Sequence, residues 1–233
     1  MKKMWMASAA LVAAAVAGPA LAGDIVVTPD LFTAPPAFAP QRFYNWTGAY
    51  VGLQGGGAWG RSDWTSVPDL TSGLYNVNGG LFGGTFGYNM QTDGPFVLGG
   101  EVDIAATSVS GTVPPATCFP NCRISNHWLA TARLRFGYAI NDILPYATVG
   151  VGIGRLEAGI AGSGLGTEQF NNLSWAAGFG VEVAVAGPLT AKLEYLHVDL
   201  GGVTCNVACN GPVSMNFNEN IVRAGINYRI WQR

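Results

Sequence analysis

The sequence predicts an all-β chain folded as an eight-stranded antiparallel up-and-down transmembrane β-barrel. Three observations predict it. Charged residues inside apolar stretches fall on the opposite parity to the large apolar residues around them. The links between those stretches alternate between short and long. Aromatic residues gather at both ends of the stretches, on the apolar parity. A period of two marks a strand with one apolar and one polar face. Long strands of this kind with aromatic ends mark a membrane barrel.

The chain opens as a secretory signal, expected to span residues 1–22. Lys2 and Lys3 form a positive start, an apolar core runs over 4–16, Pro19 breaks it, and Ala20-Leu21-Ala22 offers small residues for cleavage. The mature chain is expected to begin at Gly23, directly after Ala22. The apolar core is shorter than the ~20 residues of a spanning helix. Residues 23–45 form a Pro-rich arm with Pro29, Pro35, Pro36 and Pro40, expected to be an extended lead-in. The barrel is expected over 46–233.

Its strands are read at 46–59, 79–91, 96–107, 126–139, 144–156, 173–186, 189–200 and 220–231. Each is long enough to cross a bilayer at a tilt. In 96–106, Phe96, Leu98, Val102 and Ile104 hold even positions, and Glu101 and Asp103 hold odd ones. In 128–138, Trp128, Leu134, Phe136 and Tyr138 oppose Arg133 and Arg135. Glu182 stands against Trp175, Phe179, Val181 and Val183. Lys192 and Glu194 stand against Leu193 and Tyr195, and Arg223 and Arg229 against Val222, Ile226 and Tyr228.

Links after the second, fourth and sixth strands are tight: Thr92-Asp93-Gly94, Asn141-Asp142 and Gly187-Pro188. Those at 60–78, 108–125, 157–172 and 201–219 are long. Short turns at one end and long loops at the other match an outer-membrane barrel with periplasmic turns and extracellular loops. A soluble sandwich or lipocalin gives no reason for that alternation. Trp59, Trp128 and Trp175 fall at the loop end, and Tyr88, Tyr138 and Tyr228 near the turn end. Amphipathic rings favour those two water–lipid boundaries.

If the apolar parity faces lipid, the charges face the lumen. The set is Glu101, Asp103, Glu182 and Glu194 against Arg133, Arg135, Lys192, Arg223 and Arg229. An eight-stranded barrel has an interior just wide enough for side chains, so the charges are expected to pair and fill it. A selective pore would need a ring biased to one sign, and these signs nearly cancel. Gly83, Gly87, Gly150, Gly152 and Gly154 share the lumen parity. They make room for long side chains opposite, or else line a small-ligand cavity.

Cys118, Cys122, Cys205 and Cys209 form two short-spaced pairs in turn-rich stretches. In an exported chain two local disulfides are the default. Pairing across the two loops, and a four-thiolate metal site, are the other arrangements these spacings allow. His127 lies on the lumen parity beside Ser125, and His197 near another loop end. No spacing marks a catalytic triad, a phosphate loop or a zinc helix motif, so no enzyme or cofactor is expected, and with disulfides the default no metal is expected either. Sparse, slightly acidic charge argues against nucleic acid as a partner.

At Trp46-Thr47-Gly48-Ala49-Tyr50-Val51-Gly52 the chain resembles the RopB-type, porin-like small outer-membrane barrels of alphaproteobacteria. The resemblance returns at 55–60, at 175–182, in Lys192-Leu193-Glu194-Tyr195, and at 222–229. It implies an OmpA-like barrel with envelope-stabilising and surface-antigen roles; some members are said to bind haem. It also implies outer-membrane lipid, lipopolysaccharide and the barrel-assembly machinery as partners, with any host or surface ligand met by the loops. Such barrels end on an outward aromatic. Here Ile230 holds that register position and Trp231 runs past it. The chain is therefore expected to be a non-enzymatic outer-membrane protein, structural or surface-interacting; a narrow porin and a haem or small-ligand receptor are the rival functions.

Overall fold

The computed structural model describes residues 44–66, 70–71, 75–113, 122–160, 166–206 and 213–232. The signal, its cleavage point at Ala22 and Gly23, most of the Pro-rich arm, Cys118 and Cys209 lie outside those residues. Residues 42–233 form one compact unit. Among the described residues no helix is long and apolar enough to cross a membrane.

The strands are β1 (Gly48–Ser66), β2 (Leu70–Thr71), β3 (Tyr75–Gln91), β4 (Phe96–Val113), β5 (Cys122–Tyr138), β6 (Ile143–Ile160), β7 (Glu168–Ala186), β8 (Leu189–Cys205) and β9 (Val213–Gln232). The two-residue β2 pairs only with the far end of β1. The other eight run in chain order, each antiparallel to the next, and β1 pairs with β9 to close the barrel. Closure leaves none of the eight long strands as a sheet edge, which a bilayer demands because lipid cannot hydrogen-bond an open backbone.

The strands outrun the sequence-read boundaries at the loop end. β1 continues to Ser66 rather than 59, β4 to Val113 rather than 107, and β9 begins at Val213 rather than 220. The long links are correspondingly shorter. The reason lies in patterning. Above the tryptophan level the faces exchange character: β9 carries Asn220, Asn218 and Asn216 outward, and buries Phe217 and Met215 inward. An alternation keyed to outward apolar residues stops at that exchange.

At the turn end the tight links hold. Asn141 takes a positive φ of 54° in the Asn141-Asp142 turn, a conformation Asn tolerates better than most residues. Ile140 and Ile143 bridge across it.

Four of the register shifts matter. One between Asn126 and Leu129 on β5 reverses its parity. Asn126 points inward, and His127 points outward and is exposed rather than lying on the lumen side. Others interrupt β4 after Ala106 and β8 after Asp199. Bulges of this kind re-aim side chains and increase twist. The fourth, between Ala49 and Tyr50, pairs Trp231 with Ala49 and leaves both Ile230 and Trp231 exposed. The outward aromatic therefore sits one residue later than the simple register indicates.

Membrane-impermeant maleimide applied to intact cells tests this placement. His127→Cys should label and Phe86→Cys, in the apolar band, should not; equal labelling of both would reject the assignment of faces.

Candidate functional site

The lipid band is apolar all round. Leu53, Phe82, Phe86, Val102, Ile104, Leu134, Phe136, Phe179, Leu193 and Ile226 are exposed on the outer face. Trp59 and Trp175 are exposed at the loop end, Tyr88, Tyr138 and Tyr228 at the turn end, and Trp128 is half-buried at the β5 bulge. Phe96 and Tyr138 pack edge to face across β4 and β5, with ring centroids 5.5 Å apart.

Inside that band the structure brings eight charged residues into one connected network. Arg133 donates to Glu101 at 2.6 Å, Asp103 at 2.6 Å and Glu194 at 2.8 Å. Arg223 binds Asp103 through both terminal nitrogens, at 3.0 and 3.2 Å, and Glu194 through Nε at 2.9 Å. Lys192 donates to both oxygens of Glu101 at 3.0 Å. Arg135 donates to Glu182 at 2.7 Å and to the Tyr50 hydroxyl at 2.6 Å, and that hydroxyl donates to Glu101 at 2.8 Å. The Arg135 guanidinium also stacks 3.9 Å from the Tyr146 ring centroid, and Tyr146 donates to Glu194 at 2.8 Å. Thr131, Thr190 and Asn227 donate to Asp103 and Glu182.

Four carboxylates therefore meet four cations, and all eight side chains are buried. Charge-assisted bonds of this geometry are the strong class. A buried ion survives only with such partners.

The lumen glycines supply the space. A Cβ on Gly87 would lie 2.3 Å from the Tyr50 ring, and one on Gly180 would lie 2.7 Å from the Tyr146 ring. The rings occupy the room that the missing side chains leave.

Arg229 stands apart from the network. It lies at the turn-end mouth, where it donates to the Asn45 carbonyl and stacks on the rings of Tyr44 and Trp46, 4.4 and 5.9 Å from their centroids. Trp46 is fully buried there with Val97 and Leu144. Its backbone N–H donates to Gln91. The last residues of the arm thus enter the mouth as a stopper.

Above the network the lumen turns apolar. Leu81, Val109, Ile124, Leu129, Leu156, Leu196, Val198, Leu200, Met215, Phe217 and Ile221 form one buried cluster. Glu219 sits within this upper lumen, opposite Gly60 and Val198 in the ladders. It lies beyond the outward apolar run of β9, so outside the membrane span. Neither of its oxygens meets full hydrogen-bond geometry. Burial pushes its carboxyl up to about 7, with Asn126 close enough to lower it somewhat. The sequence reading missed Glu219 because it began the last strand at 220. Its odd parity, shared with Arg223 and Arg229, was the signal.

His127 Nε2 lies 3.4 Å from Ser125 Oγ and 3.1 Å from Glu157 Oε2. Hydroxyl and carboxylate meet the same ring nitrogen, whereas a nucleophile relay needs them on opposite ones. Cys205 is buried and is not a free thiol. Among the described residues no group of His, Cys, Asp and Glu is arranged to hold a metal.

Two substitutions separate these features. Arg223→Leu should cost about 3–5 kcal/mol in urea unfolding of the refolded barrel, because it strands two buried carboxylates; Arg229→Leu should cost less. A raised carboxyl binds more protons folded than unfolded, so Glu219 should lower stability as pH rises from about 4.5 to 7. Glu219→Gln should abolish that slope, worth about 3 kcal/mol at most. A wild-type stability that is level across this range would contradict the carboxyl's placement.

Residues 8–229 match the outer membrane protein beta-barrel domain family. A 31 kDa outer-membrane immunogenic protein of Brucella melitensis is 31% identical, covering 98% of this chain and all of that protein. A 22 kDa outer membrane protein of Rhizobium leguminosarum bv. viciae is 30% identical, over 79% of this chain and 78% of its own length. The crystal structure of the outer membrane protein OprG from Pseudomonas aeruginosa matches with a TM-score of 0.50 at 12% identity, over 79% of this chain and 98% of OprG. That likeness speaks to the fold. With a closed eight-stranded barrel, a lipid-facing band and relatives of this kind, the chain belongs to the outer membrane protein beta-barrel domain family and is an outer-membrane protein.

Proposed function

We propose that this protein is a sealed structural barrel, without enzymatic activity, that stabilises the envelope and presents its far-end loops at the cell surface. The observation that carries the reading is closure of the lumen at three levels. Trp46 and Tyr44 stop the turn-end mouth, the four-and-four ion network fills the membrane section, and an apolar cluster fills the section above. A solute would have to break buried charge pairs and then cross a packed apolar core, and each step is costly.

The cysteines fit the surface role. Local disulfides at Cys118 with Cys122 and at Cys205 with Cys209 would brace two of the far-end hairpins, each adding roughly 2 kcal/mol at best through loop closure. Relatives named immunogenic outer-membrane proteins fit a surface-presented barrel.

Planar-bilayer recording tests the reading. Refolded wild-type protein should give no steady conductance, and neither should Trp46→Ala, because the network and the apolar cluster remain. Large, reproducible single-channel steps in the wild type would overturn it in favour of a narrow porin.

A further inference from the structure

Three neighbouring strands, β3, β1 and β9, carry a two-rung polar grid on the outer face at the loop end. Arg61 pairs in register with Asn76 on one side and Asn218 on the other; Trp59 pairs with Asn78 and Asn220. These six residues line a surface groove of about 500 Å³, a volume usual for small-ligand sites. Arg61, Trp59, Asn76 and Asn78 are exposed, and Asn218 and Asn220 half-buried. Asn220 is held in place: its Oδ1 accepts from the Tyr195 hydroxyl at 2.6 Å and lies 2.9 Å from His197 Nδ1. That leaves its Nδ2 as a donor.

The same three strands, with Ala191 and Lys192 of β8, line a second groove nearer the turn end. The rung Phe82–Gly55–Ala224 forms its floor with small residues beside one ring, and Leu53 and Ile226 continue it. It holds about 820 Å³ and runs through the lipid band towards Tyr228 at the turn end. Trp59 lies four positions beyond Gly55, about 13 Å along a strand. An apolar trough in the bilayer therefore runs up to a polar grid just above it.

We propose that this face is a binding site for a phosphorylated, acylated amino-sugar lipid of the outer leaflet, the lipid A class of glycolipid. Acyl chains lie in the lower groove, the Trp59 ring packs on a sugar face, Arg61 takes a phosphate, and the carboxamides meet hydroxyl and amide groups. The chemistry selects a sugar lipid over a simple phospholipid. One phosphate would engage Arg61 alone, whereas Asn76, Asn78 and Asn218 offer paired donors and acceptors and Asn220 adds a donor. The proposal rests on the outer-membrane placement of the barrel and is independent of whether its lumen is sealed.

Native mass spectrometry of the full, refolded chain released from detergent micelles tests it, with bisphosphorylated lipid A, dephosphorylated lipid A and phosphatidylglycerol as probes. Wild type should retain one bisphosphorylated lipid A about tenfold more tightly than either other probe. Arg61→Ala should erase the preference for the phosphorylated form, and Asn76→Ala with Asn218→Ala should weaken both lipid A forms. Each variant should keep the heat-dependent gel shift of a folded barrel, since all three positions lie on the surface. Unchanged retention in Arg61→Ala, equal retention of phosphatidylglycerol, or a protein dimer dispersed by Asn218→Arg would each overturn it. Conductance of the same preparations reads the sealed lumen separately.

Discussion

Neutralisation of charge inside the barrel is the constraint on which the other features depend. A charged residue on the lipid face at mid-membrane costs about 2–4 kcal/mol for Arg or Lys, so every ion of the membrane section turns inward. Eight strands leave no aqueous channel there. Glu101, Asp103, Glu182 and Glu194 must therefore be matched by Arg133, Arg135, Lys192 and Arg223, with hydroxyls and carboxamides taking the remaining lone pairs. Such a network adds little net stability, because desolvation offsets much of the attraction. Its effect is on register. A slip of one residue in any strand would turn its charges into lipid.

The strands obey two opposite patterns along their length. In the bilayer they are polar inside and apolar outside; above the tryptophans they are apolar inside and polar outside. The upper section is in effect a water-soluble barrel continued from a membrane one. Bulges on β4, β5 and β8 fall near the exchange. There they re-aim side chains between the two regimes. The exchange also isolates the two buried charged residues outside the network among the described residues, Arg229 at one mouth and Glu219 in the upper lumen. Arg229 is accommodated by aromatic faces and a carbonyl, Glu219 by a shifted proton equilibrium.

This division assigns roles to the surfaces. In the membrane section the interior is occupied by charged groups that neutralise one another, and above it by an apolar cluster. In the proposed reading, recognition falls to the outside, at the far-end links and along the outer wall. On the β3–β1–β9 wall, small residues in the band and carboxamides above it line recesses.

By itself the sequence determined the fold, the lipid-facing side and the eight charged members of the lumen network, though not that Glu219 joins the interior or that Arg229 stands apart. These follow from parity, and a period of two survives wherever the backbone stays extended. It also determined the turn end, because Asn141-Asp142 and Gly187-Pro188 are local signals. The tertiary structure alone decided what parity cannot carry past a bulge: His127 outward, Asn126 inward, Trp231 on the outer face. It also decided the partners in the network. Arg133 and Glu194 are 61 residues apart, and Arg223 and Asp103 are 120 apart. Closure of β1 on β9 across the whole barrel makes those meetings, and no local spacing records them.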